Sequence, residues 1–79
     1  MLEINLSNAD LRNSNFTGTD FKNAKLTRAR LENTNLSYTS FNEADLENAQ
    51  LQNAILDRSD FAKADLTGSD LRNASLVKT

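Results

Sequence analysis

Cysteine, histidine and proline are all absent from the 79 residues. Without cysteine there is no disulfide and no thiol chemistry, and without histidine as well the commonest zinc sites are excluded. The opening "MLEINLSNADLRNSNF" has no basic stretch leading into an apolar one, so it does not read as a signal peptide. No apolar run approaches membrane-spanning length. The expectation is a soluble cytoplasmic protein without membrane contact. Nine basic and eleven acidic residues give a net charge of −2, too weak a bias for a nucleic-acid binder. A domain this small removes little surface from water. Lacking disulfides and metals, it must rely on a dense regular core or on self-association.

What the sequence has instead is one repeat from end to end. Large apolar residues recur every five positions, at Leu6, Leu11, Phe16, Phe21, Leu26 and so on to Leu76, each of them Leu or Phe. We call these the centres. Two residues before each lies a small residue, from Ala9 and Ser14 to Ala74, with Ile4 the one exception. Only Leu2 lies outside the series, and nothing interrupts it. The chain reads as a single domain, residues 1–79, with no linker and no evident capping helix.

A period of five suits neither regular backbone. In an α-helix five steps rotate by roughly 140°, so the centres would wander around the surface. In a straight strand an odd step sends successive centres to opposite faces. A small residue and its centre, two apart, do fit a short extended piece with both pointing inward. The chain must then turn a corner in every pentad. Right-angled corners close a square coil of 20 residues; a triangular coil would repeat every 15. Phe21, Phe41 and Phe61 are 20 apart, as are Asn13, Asn33, Asn53 and Asn73. Both series form columns on a square coil and scatter on a triangular one, which favours the square.

The pattern of small residue, Asp or Asn, Leu or Phe, then two polar residues is whole in "NADLR", "GTDFK", "EADLE", "RSDFA", "KADLT" and "GSDLR". It resembles the pentapeptide repeat proteins. The resemblance implies an all-β fold, a right-handed parallel quadrilateral β-helix, here of about four 20-residue coils; the handedness comes from the resemblance alone. Lys25, Arg30 and Ile55 depart from the pattern at the second pentad position.

Charge varies by coil. Residues 1–20 carry Glu3, Asp10, Asp20 and Arg12, residues 21–40 carry Lys22, Lys25, Arg28, Arg30 and Glu32, and residues 41–60 carry Glu43, Asp45, Glu47, Asp57 and Asp60 against Arg58 alone. This alternation predicts stacked pairs, Asp10 over Arg30, Arg12 over Glu32, Lys25 over Asp45 and Glu43 over Lys63, that would help to fix register. The end coils are expected to expose a core face and an unpaired strand edge.

Catalysis finds little support. The available acid–base groups are carboxylates and lysines, and the stacked Asp45 and Asp65 lie on a convex, solvated face. No catalytic, cofactor or metal site is predicted, and no small-molecule substrate. The Asn column reads as turn residues that tolerate left-handed geometry, as do Gly18 and Gly68. One face is different: Tyr38, Ile55 and Val77 should point outward on a side poor in charge, which suits protein contact. The expected function is a non-enzymatic structural or protein-interaction module, a rigid rod that self-associates through an end coil. Either an isologous dimer or a head-to-tail stack would serve. The alternative comes from the family, some of whose members resemble duplex DNA and bind type II topoisomerases such as DNA gyrase. That mimicry needs a continuous acidic stripe, which the basic coil interrupts. Direct nucleic-acid binding through Lys22, Lys25, Arg28 and Arg30 is disfavoured because the acidic coil beneath would neutralise them.

Overall fold

A computed structural model describes residues 4–79. Leu2 and Glu3, which entered the reading above, lie outside the described residues. Each pentad contributes one bridged residue, its second, and two turn residues, its fourth and fifth. The bridges are all parallel and share one register: Asn5 pairs with Lys25, Lys25 with Asp45 and Asp45 with Asp65. Equivalent ladders run through Asp10, Arg30, Gln50 and Asp70, through Asn15, Asn35, Ile55 and Ser75, and through Asp20, Ser40 and Asp60. A step of twenty residues therefore carries the chain once around, as the aromatic and amide columns predict. The extended pieces are shorter than expected, one bridged residue each, because a turn occupies the end of every pentad.

That turn is the source of the period. The fifth residue of every described pentad, from Asn8 to Lys78, has a φ between 57° and 74°. In most turns the N–H two positions before the next centre closes back on the previous centre's carbonyl, as Ala24 does on Phe21 at 2.9 Å. A positive φ at the third turn residue alone is the type II signature, which favours Gly or Asn. Nine pentads, including those ending in Asn13 and Gly18, obey that preference, so the Asn column is structural as read. Arg28, Tyr38, Glu43, Arg58, Lys63 and Lys78 do not. Each holds a conformation that costs a bulky side chain ~1–2 kcal/mol.

Hydrogen bonds between neighbouring coils take up three of the five N–H groups in each pentad of the inner coils. For Leu6 and Asn8 the acceptors are the Lys25 and Thr27 carbonyls, at 2.7 and 2.9 Å, and the bridged Lys25 donates to Ile4 at 2.7 Å. The turn takes a fourth. The fifth, on the residue after the centre, has no backbone acceptor, and a side chain supplies one. Nine Asp or Asn residues at the second position accept it, among them Asp20 from Lys22 at 2.9 Å and Asn15 from Thr17 at 3.0 Å. This is why the pattern wants Asp or Asn there: both bond their own backbone two residues on. Lys25, Arg30 and Ile55 have no acceptor to offer.

The interior is filled by centres and small residues, fully buried from Phe21 to Ser59. Phe21, Phe41 and Phe61 stack with centroids 5.2 and 4.9 Å apart and ring planes within 9° of parallel. Phe16 meets Phe21 edge-on at 5.7 Å. Buried hydroxyls are satisfied locally: Thr34, Thr39 and Ser59 donate to the Leu31, Leu36 and Leu56 carbonyls at 2.6–2.7 Å. The molecule measures 28 × 22 × 21 Å, a block only slightly elongated.

The predicted cross-coil ion pairs do not form. Instead Asp10 pairs with Arg12 at 2.7 Å, Glu32 with Arg30 at 3.0 Å and Asp70 with Arg72 at 2.7 Å, each inside one turn. The second and fourth pentad positions flank the same centre, so their side chains meet without crossing to another coil.

The aromatic column generates a prediction. Phe41, between two rings and fully buried, should cost about 3–5 kcal/mol when truncated to alanine. Phe41→Leu, which restores the commonest centre, should cost clearly less. Urea denaturation followed by circular dichroism measures both; equal losses would mean that the stack adds nothing.

Candidate protein-contact face

The three residues singled out on the charge-poor side do point outward: Tyr38 is 62%, Ile55 41% and Val77 55% exposed. Their positions follow from the pentad. Ile55 is a bridged residue between Asn35 and Ser75, so its side chain leaves the outer side of the wall. Tyr38 and Val77 occupy the neighbouring corner, one coil to either side of Asp57 and Arg58. The Arg58 guanidinium lies over the Tyr38 ring, 5.8 Å from its centroid, within cation–π range. Asp57 is turned inward to the next coil, where its Oδ1 accepts from the Ser75 hydroxyl and, at 3.2 Å, from the Val77 N–H. That acceptor replaces the Asx bond that Ser75 does not make. The face therefore presents an aromatic ring, two aliphatic side chains and the cations Arg58 and Lys78, while its one carboxylate is engaged.

Two of these residues sit where the fold would do better with others. Tyr38 holds a φ of 59°, a place for Asn or Gly. Ile55 occupies a second position and leaves the Asp57 N–H without its usual acceptor. Local rules broken together on one face point to a use other than folding. Lys25, Arg28 and Arg30 break the same rules in the second coil, but two of them are engaged: Arg28 donates to Asn8 Oδ1 at 3.1 Å and Arg30 is paired with Glu32.

The other candidates are quieter. Asp45 and Asp65 are bridged neighbours, yet each serves its own turn, accepting from the Glu47 and Thr67 N–H groups at 3.1 and 3.0 Å. The Thr67 hydroxyl, with its N–H, holds the Asp65 carboxyl below the usual range, opposite to what a shared proton would do. The Asn13, Asn33, Asn53 and Asn73 side chains are exposed and make no hydrogen-bonded ladder among the described residues. Buried Glu32 Oε1 and Gln52 Oε1, stacked neighbours, have no partner there either; nothing in the sequence flagged them. No group of three or more metal-ligating side chains is found among the described residues, and no helix there is long and apolar enough to cross a membrane.

Comparison with known proteins gives a consistent result. The family model described as "Pentapeptide repeat region" matches residues 2–79. Among solved structures, HetL of the cyanobacterium Nostoc sp. strain PCC 7120, a pentapeptide repeat protein involved in heterocyst differentiation regulation, is 39% identical. The match covers 94% of this chain with a TM-score of 0.67. It covers only 29% of HetL, so the chain spans less than a third of that protein's length. A pentapeptide repeat protein of the Arabidopsis thaliana thylakoid lumen matches at 28% identity and a TM-score of 0.48, covering 91% of this chain and 53% of its own. Curated proteins give no match.

Two predictions follow from the side-chain geometry. Ile55→Asn should supply the missing acceptor and Tyr38→Asn should relieve its turn. Each should stabilise by about 0.5–1.5 kcal/mol, raising the melting temperature by several degrees; a fall would show that the fold itself needs these side chains. The second concerns pH. The Arg12 guanidinium, aided by its N–H, holds the Asp10 carboxyl at about 2, and Arg72 lowers Asp70 in the same way. Carboxyls depressed in the folded state contribute stability above their ordinary pKa of ~3.9 and lose it as pH falls toward 2. Asp10→Asn with Asp70→Asn keeps the turn acceptors and should flatten the acid limb in denaturation midpoints measured between pH 5 and 2.

Proposed function

The chain belongs to the pentapeptide repeat family, and on that premise we propose a non-enzymatic protein-interaction module that works through two surfaces. Pentapeptide repeat proteins are right-handed β-helices and generally serve as structural or protein-interaction modules. For this chain the finer reading is a quadrilateral solenoid of about four 20-residue coils, rigid because hydrogen bonds join each coil to the next. It self-associates through an end coil and binds a protein partner through the side face of Tyr38, Ile55 and Val77. The observation that carries the side face is the coincidence, on one face, of exposed apolar groups with positions the fold would fill differently. Mimicry of DNA for a topoisomerase gains no support: Lys22, Lys25 and Arg28 interrupt any acidic stripe.

The two surfaces are tested separately. Light-scattering mass across a concentration series should rise well above 8.8 kDa, whereas a monomer at every concentration refutes end pairing. The double variant Tyr38→Ser/Ile55→Ser should keep that self-association and lose the proteins retained from an extract of the source cell. Unchanged retention would sink the side-face reading.

A further inference from the structure

The two end faces of the described solenoid are chemically different, and the difference follows from the polarity of parallel pairing. Between stacked coils, the earlier coil donates two N–H groups per pentad, from the centre and the left-handed residue, and accepts one bond at the small residue's carbonyl. Its later neighbour does the reverse. The last described coil consequently leaves the N–H groups of Phe61, Lys63, Leu66, Gly68, Leu71 and Asn73 without backbone acceptors among the described residues. This face is donor-rich. On the opposite face, the carbonyls of Asp10, Arg12, Asn15 and Thr17 accept no backbone bond among the described residues, where their counterparts Arg30, Glu32, Asn35 and Ser37 do; Arg12 takes only a 3.3 Å bond from the Ser14 hydroxyl. That face is acceptor-rich.

We infer that the acceptor-rich first-coil face of a second copy of this chain docks head-to-tail on the donor-rich last-coil face. The inference rests on the end-coil self-association proposed above and settles its geometry. Two like faces brought together would set donors against donors, or acceptors against acceptors, and strand buried polar groups. Only unlike faces continue the ladder. The apolar surfaces agree. Phe61, Leu66, Leu71, Leu76 and Thr79 line an open hollow of about 360 Å³. Leu6, Leu11 and Phe16 are the incompletely covered centres of the other face. Charge agrees too: the first twenty residues are net negative, while Lys63, Arg72 and Lys78 outnumber Asp65 and Asp70 in the last coil. Such a contact does not close on itself and can repeat.

The absence of cysteine makes the test clean. Stacked coils lie about 4.8 Å apart, inside the Cα separation of a disulfide, ~4.4–6.8 Å. The backbone pattern is alike in all four rotations of one copy on the other, so one partner is needed per corner. Asn13→Cys is mixed in turn with Lys63→Cys, Gly68→Cys, Asn73→Cys and Lys78→Cys under mild oxidation, one partner carrying an isotopic label. At Gly68, whose φ is 70°, an added Cβ meets Asn48, closest at its side-chain amide, so that variant requires a side-chain shift and holds a strained backbone. Circular dichroism checks that every variant is folded, and Ser7→Cys with Thr67→Cys, clear of the left-handed positions, provides a second pair. The inference expects a covalent mixed dimer at one or more corners, several-fold above either variant alone. It also expects a light-scattering mass that passes twice 8.8 kDa as concentration rises. Cross-links confined to last-coil variants among themselves, or to Asn13→Cys with itself, with the mass halting at a dimer, would overturn it and leave self-association standing. A monomer without cross-links would remove both.

Discussion

The left-handed residue that ends each pentad is the constraint on which the rest depends. A positive φ every five residues turns the chain through a corner, and four corners bring it back over itself with a step of twenty residues. Once the path is fixed, hydrogen-bond accounting shapes the remaining positions. Three N–H groups go to neighbouring coils and one closes the turn. In nine pentads the last is met by an Asp or Asn side chain two residues back. The small residue and the centre alone face inward, which leaves the core a choice of Leu or Phe beside Ala, Ser or Thr. Cooperation among individually weak elements follows. One bridged residue would be nothing by itself, but each is held by a turn on either side and by coils above and below.

Where the sequence departs from these demands, the departures become informative. Tyr38 and Ile55 share an exposed side with Arg58 over the tyrosine ring. Lys25, Arg28 and Arg30 depart as well, but two of the three are tied into hydrogen bonds with Asn8 and Glu32. The carboxyls that shift, at Asp10, Asp65 and Asp70, all shift down because each serves its own turn.

Much of the architecture could be read from the residues, because the interior tolerates so few of them. Phe21, Phe41 and Phe61 announced the twenty-residue step and do stack. Counting alone places Tyr38, Ile55 and Val77 outward, and they are exposed. Ion pairing was harder to read. The alternation of charge sets Asp10 against Arg30 and Arg12 against Glu32 in adjacent coils, yet long side chains at the second and fourth positions reach each other across one centre first. The service performed by Asp and Asn, and the left-handed backbone at Arg58 or Lys63, stayed hidden too. Composition names the residue, whereas the orphan N–H and the sign of φ belong to the folded chain.

Ion pairs that close within their own turn carry a consequence for how such a chain can change. They do not identify which coil is the neighbour, so much of the surface is indifferent to what lies above or below. The interior is not: the Phe column recognises a step of twenty and no other. Length in this architecture is therefore quantised. Gaining or losing four whole pentads leaves every column intact. One pentad more would turn all later columns by a quarter of the circumference, sending phenylalanine against leucine while each turn remained locally content.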